Sequence, residues 1–146
     1  LVSAISVFEH MKSLDGFVDA FKQSDTKYLY YSVPLFSPSV VFENAFDGVF
    51  TRHLSGAHTH LFTEASLSFW NNRLKIRPIG NWWFGTDIMD LFRSLAVASV
   101  SEHGREYQKF YFDKLMPLVD SLQSVIDRKH LSSEVHVLAQ RSDICN

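Results

Sequence analysis

The pattern with the most chemical content is His58-Thr59-His60-Leu61-Phe62-Thr63-Glu64. Two imidazoles and a carboxylate are a donor set for zinc, iron or nickel. On a strand, His58 and His60 share a face and could chelate an ion together. Segment 57–71, however, carries Leu61, Phe62, Ala65 and Phe69 at helical spacing. A helix turns His60 about 200° away from His58. His60 and Glu64 then form an i, i+4 pair on a solvated face. No metal is expected on that reading, and His58, His60 and Glu64 stand as an alternative metal set. A second cluster is Gly80-Asn81-Trp82-Trp83-Phe84-Gly85. Paired tryptophans line pockets, anchor interfaces or fill cores. Trp82 and Trp83 are the expected binding residues, with Tyr31 of the aromatic segment Thr26–Tyr31 beside them. The chain has no Gly-x-Ser-x-Gly elbow, no phosphate-cradling glycine loop and no Cys-x-x-Cys. No cofactor is expected.

The elements that must position these groups follow from hydrophobic spacing. Residues 4–22 read as an amphipathic helix through Ala4, Val7, Phe8, Met11, Leu14, Phe17, Val18 and Phe21. Gln23-Ser24-Asp25 ends it, and Thr26–Tyr31 is helix or strand. Two prolines and two serines between Pro34 and Ser39 mark a turn. The β-branched Val40-Val41-Phe42 and the turn pair Asp47-Gly48 favour a strand over 39–45 and another over 49–54. Phe42, Phe46 and Phe50 sit at i, i+4, i+8 and keep a helix open there. A helix is expected over 57–71. Leu74 and Ile76 form a short strand running into a turn at Pro78-Ile79-Gly80. In 81–93 only the second half has helical spacing. Residues 95–112 read as a β-hairpin turning at His103-Gly104, the alternative being a helix broken at Gly104. A helix covers 116–129, with Pro117 tolerated in its first turn. Residues 130–146 are a tail with a candidate short strand. The expected class is α+β: a curved, mainly antiparallel sheet with an N-terminal, a middle and a C-terminal helix. One domain over 1–146 is expected, its core at about 4–129.

Composition narrows the function classes. Hydrophobic residues at 46% and aromatics at 14% supply a core and argue against disorder. A net charge of -2 leaves no basic excess for phosphates, so no nucleic-acid partner is expected. The single cysteine, Cys145, forbids an intrachain disulfide, which fits an intracellular setting, cytoplasmic or organelle matrix. No apolar run reaches the roughly 18 residues of a membrane span. The chain begins at Leu1 rather than Met, as it would after loss of a leader or excision from a larger parent.

The order of elements resembles the nuclear transport factor 2-like superfamily. The resemblance is carried by Phe17-Val18-Asp19-Ala20-Phe21 on the first helix and Val40-Val41-Phe42 entering the first strand. Gly48 and Gly56 bracket the second strand. It implies a cone-shaped α+β fold whose sheet commonly dimerises. In enzymatic members an acid–base group points into the cone, and His53, Tyr107 and Asp113 are the candidates for it here. His-x-His-x3-Glu likewise resembles the first metal motif of the cupins, although Trp83 stands where the later motif has a histidine. The expected role is a non-catalytic protein-binding or assembly domain. It would use the sheet face and the Trp82-Trp83 region toward a protein partner or a second copy. Two alternatives remain. One is an isomerase, dehydratase or cyclase acting on a small-molecule ligand, and the other is a His-rich metal-binding protein.

Overall fold

The computed structural model describes residues 1–54, 57–99 and 104–143. In chain order the elements are β1 (Val2–Ile5), a 3-10 turn (Phe8–His10), α1 (Asp15–Gln23), β2 (Tyr28–Pro34), α2 (Pro38–Ala45), α3 (Glu64–Leu74), β3 (Ile76–Phe84), α4 (Asp87–Ala98), α5 (Gly104–Phe110), a π-helical turn (Tyr111–Leu115), a 3-10 turn (Met116–Leu118), α6 (Val119–Arg128) and β4 (Glu134–Arg141). The class is α+β, with one open four-stranded sheet in the order β1-β2-β4-β3. Among the described residues no helix is long and apolar enough to cross a membrane. The chain divides into two compact units. The first comprises Leu1–Leu35, Gly56–Trp82 and Glu134–Asn146, and the second Phe36–Ser55 and Trp83–Ser133.

The first unit is organised by β2 and β4, which pair antiparallel from Tyr28↔Gln140 to Pro34↔Glu134. Side chains alternate across a sheet. Leu29, Tyr31 and Val33 therefore share a face with Ala139, Val137 and Val135, and all six are buried. β1 joins β2 in parallel, Val2 opposite Leu29, with α1 as the crossover. Phe8 is fully buried. Its ring meets Phe17 at 4.7 Å, Trp70 at 5.4 Å and Tyr31 at 5.7 Å. The last carbonyls of α1, which have no helical partner, are closed by Arg141 at the end of β4. Its guanidinium donates to Phe21 O at 3.2 Å, Lys22 O at 3.3 Å and Ser24 O at 2.6 Å. α3 starts at a reciprocal cap: Thr63 Oγ1 accepts from Ser66 N–H, and Ser66 Oγ accepts from Thr63 N–H.

Four expectations change in this unit. The turn expected at Pro78-Ile79-Gly80 is absent: Leu74 ends α3, and β3 runs unbroken from Ile76 to Phe84. The single helix over 4–22 is a strand, a 3-10 turn and a shorter helix. Val2–Ile5 finds a ladder partner in β2, and Ser6, at φ 51°, turns the chain out of the strand with its N–H on Ser32 Oγ. The helix expected from residue 57 begins only at Glu64, where the Thr63 cap sits. The expected tail contains β4, a central strand of eight residues. Val135, Val137 and Ala139 alternate with Glu134, His136, Leu138 and Gln140, a period-2 signature that Leu138 alone blurs.

The second unit packs α2 against α4 and α4 against α6. α2 replaces the strand expected at 39–45, and no strand forms over 49–54. Pro38 occupies the first helical turn after Ser37, and Ser39, Val40 and Glu43 fall on one buried helical face. The Asp47-Gly48 turn is present, with Gly48 at φ 78°. The hairpin expected at 95–112 is helical on both sides, α4 and α5. Its expected turn residue His103 lies outside the described residues. The helix expected over 116–129 is present as a 3-10 turn leading into α6.

Candidate functional site

Within the second unit, α4 presents Met89, Phe92, Arg93, Ala96 and Val97 along one face, the i, i+3, i+4, i+7, i+8 pattern of an amphipathic helix. The segment after it presents Gln108, Tyr111, Phe112 and Met116 at the same kind of spacing. These residues line a cleft of about 400 Å³. That volume lies inside the range of about 300–1,000 Å³ in which proteins hold small molecules. The second wall carries a π-helical turn, Tyr111–Leu115, running into a 3-10 turn. Pro117 explains this local irregularity. It has no N–H for the carbonyl of Asp113, and its ring crowds that carbonyl, so the regular ladder cannot continue.

Apolar carbon dominates the lining, and Arg93 is its charged member. The guanidinium Nη2 lies 3.4 Å from Asp90 Oδ1, an ion pair. Arg93 Nε and Nη2 are nevertheless buried, and no described residue provides either with a hydrogen-bond acceptor. A buried donor without an acceptor costs about 1–3 kcal/mol. Such a group at the wall of an apolar cleft is suited to an anionic oxygen, because guanidinium and carboxylate match in two parallel hydrogen bonds.

A polar node fixes the α4 end of the cleft. Asp87 is fully buried at the start of α4. Its Oδ1 accepts from Ser39 N–H at 3.1 Å, and its Oδ2 accepts from Ser133 N–H at 2.9 Å and Gln123 Nε2 at 3.3 Å. Ser39 Oγ lies 2.9 Å from Asp87 Oδ1 and 2.8 Å from Asp90 Oδ2, so its one proton serves one carboxylate at a time. Asp90 Oδ2 also accepts from Arg52 Nη2 at 2.7 Å and Thr86 Oγ1 at 3.2 Å. Gly85 leaves room for this node: a Cβ there would stand 2.7 Å from Ser133 N and 2.6 Å from Asp87 Oδ2. The arrangement orients α4. Ser39 is wholly buried within it, and Thr86 stands at its exposed edge.

The residues singled out from sequence are scattered. Tyr31 is a core residue of the first unit. Its hydroxyl donates to Asn71 Oδ1 at 2.8 Å, and burial pushes the phenol well above its ordinary range despite that bond. Trp82 stands out from β3, 62% exposed, its ring edge-on to His136 at 5.6 Å. Trp83 is half-buried and stacks flat on His130, with ring centres 4.3 Å apart. His53 is buried, with Nδ1 2.8 Å from Glu43 Oε1 and its backbone N–H donating to Glu43 Oε2 at 3.0 Å. Burial raises the Glu43 carboxyl, but hydrogen bonds from the His53 side chain and from the His53 and Arg52 backbone outweigh it. Its pKa is held below the usual carboxylate range. Tyr107 and Asp113 are exposed and do not line the cleft. His58, His60 and Glu64 precede or open α3 and are not on a common helical face. His60 Nδ1 faces Thr59 Oγ1 at 2.8 Å.

The cleft itself was missed in sequence. The spacing of 89, 92, 93, 96 and 97 carries its signal, but a hairpin over 95–112 cuts that face in two.

No protein-family model matches the chain, and no curated protein matches it. Of the stretches behind the resemblance to nuclear transport factor 2-like proteins, Phe17–Phe21 lies on α1 as expected, whereas Val40-Val41-Phe42 lies in α2 and no strand forms over 49–54.

Proposed function

We propose that this chain is a non-catalytic binding domain whose second unit takes an elongated apolar ligand ending in a carboxylate. The observation that carries the reading is the buried Arg93 Nε, with no hydrogen-bond acceptor among the described residues, on the wall of a 400 Å³ apolar cleft. The apolar lining removes the ligand's hydrocarbon from water, worth about 25 cal/mol per Å² of area. Arg93 selects the charged end. The lining holds no paired acid and base, and His53 is engaged with Glu43 away from it. These features favour binding over turnover.

Calorimetric titration with decanoate and with decanol tests this. Decanoate is expected to bind at least about tenfold more tightly than the uncharged alcohol, a difference of about 1.4 kcal/mol. Arg93→Met should erase the preference, and Ala96→Trp, which fills the cleft, should abolish binding of both. Equal binding of acid and alcohol, or unchanged binding to Ala96→Trp, would sink the proposal.

A second reading has one observation in its favour. Tyr28, Trp82 and Leu138 are exposed large side chains on strands of the first unit. An exposed tryptophan of this kind is the sort of anchor protein interfaces use. A protein-binding or self-associating sheet face remains the expectation for that unit.

A further inference from the structure

We propose that Glu9, His10 and His58 of the first unit form a zinc-binding site. One ligand atom from each lies within 4.8 Å of the other two. The residues come from two segments 48 positions apart in sequence, and the chain itself ties the segments together. Thr59 N–H donates to Glu9 O at 2.7 Å, and Thr59 Oγ1 lies 2.9 Å from both Glu9 O and Met11 O. The site is therefore held by backbone contacts that do not depend on an ion.

Three features point to a cation. First, Glu9 is 3% exposed, and its Oε2 is buried with no hydrogen-bond partner among the described residues. A buried carboxylate oxygen left this way calls for a positive or hydrogen-bonding partner. His10 Nε2 stands 3.9 Å from the other oxygen, Oε1, too long for a hydrogen bond. Second, His10 is oriented for coordination. Its Nδ1 lies 2.8 Å from the carbonyl of Ala57, which can only accept, so Nδ1 carries a proton and, in the neutral ring, Nε2 carries the lone pair. Metal-binding histidines are commonly fixed by a carbonyl on the second nitrogen in this way. Third, the His10 and His58 rings meet edge-to-face at 5.0 Å, which brings two imidazoles to the same carboxylate.

Two imidazoles and one carboxylate are a zinc donor set, with a fourth position left for water. A tetrahedral zinc with bonds of about 2.0–2.1 Å sets its ligand atoms about 3.3 Å apart. Closing onto the ion then requires side-chain movement of about 1 Å. His10, on an exposed side chain, can supply it. The sequence motif His-x-His-x3-Glu shares only His58 with this site. The first histidine's true companions sit in the 3-10 turn Phe8–His10.

Calorimetry on chelator-treated protein, with zinc chloride as the probe, tests the proposal. One zinc per chain is expected. His10→Ala and His58→Ala should each weaken it at least about tenfold, while His60→Ala should leave it unchanged. Far-UV circular dichroism identifies any variant that fails to fold. His10 is exposed, so its replacement is the decisive one should the others misfold. Cobalt substitution, read by its visible absorption, should report the same ranking. Absence of zinc binding at tens of micromolar, a His10→Ala variant that binds like the parent, or a His60→Ala loss as large as that of His10→Ala would overturn it.

Discussion

In the first unit, Leu29, Tyr31 and Val33 of β2 meet Val135, Val137 and Ala139 of β4, and the Tyr31 hydroxyl is closed by Asn71. In the second, the buried centre is Asp87 and Asp90 with Ser39, Gln123, Ser133 and Thr86 around them, and a Glu43–His53 pair. The first interior is held by removal of carbon from water, which is non-directional and tolerates small shifts. The second depends on acceptors placed to within a few tenths of an ångström of their donors. Hydrogen-bonded interiors gain little per bond yet lose heavily when one partner is removed. The contrast suits the proposed roles: a directed polar node can hold α4 in place while its other face stays apolar and open as a cleft wall.

The largest expected effect is at Asp87. Asp87→Ala strands the Ser39 and Ser133 N–H groups in a buried site and should cost about 4 kcal/mol. Urea denaturation measures the loss, and amide hydrogen exchange should quicken in α2 and α4 ahead of β2 and β4. If the strands of the first unit are released first, the node is not what holds the second unit. Leu29→Ala should cost about 3 kcal/mol through a cavity in the sheet face. Its exchange pattern should be the reverse, with β2 and β4 quickening. An equal response of both units to either substitution would erase the distinction between the two interiors.

The smallest effect separates the units by pH. The folded Glu43 carboxyl has a lowered pKa, so on acidification the unfolded chain takes up its proton first. The stabilisation from this group is whole above the ordinary value of 4.5 and is lost as pH falls through the lower folded value. Parent protein should therefore lose stability below pH 4.5 more steeply than Glu43→Gln. Parallel curves for the two would remove the Glu43–His53 pair from the list of pH-sensitive contacts.

Much of the fold was legible where one period dominated. Phe17, Val18 and Phe21 announce α1, and Val119, Leu122, Val125 and Ile126 announce α6. Elsewhere two periods fitted the same residues. From Tyr107 to Phe112 aromatic side chains occur at Tyr107, Phe110, Tyr111 and Phe112, so an alternating strand and a helical face both find support. At Val40-Val41-Phe42, β-branched character argued for a strand. The structure makes α2 because Pro38 starts a helix and Ser39 delivers its hydroxyl and N–H to the two aspartates. Propensity is a weak prior that such tertiary bonds override.

The sequence by itself determined the α+β class and the supply of aromatic carbon, because composition and periodicity are local properties. It also supplied the ingredients of both proposed sites. Only the tertiary structure decided how they combine. β2 and β4 pair across more than a hundred residues, a tie at Thr59 brings His58 to Glu9 and His10, and two helical faces enclose a cleft beside Arg93. Each of these depends on which distant segment lies opposite, and hydrophobic spacing carries no information on that choice.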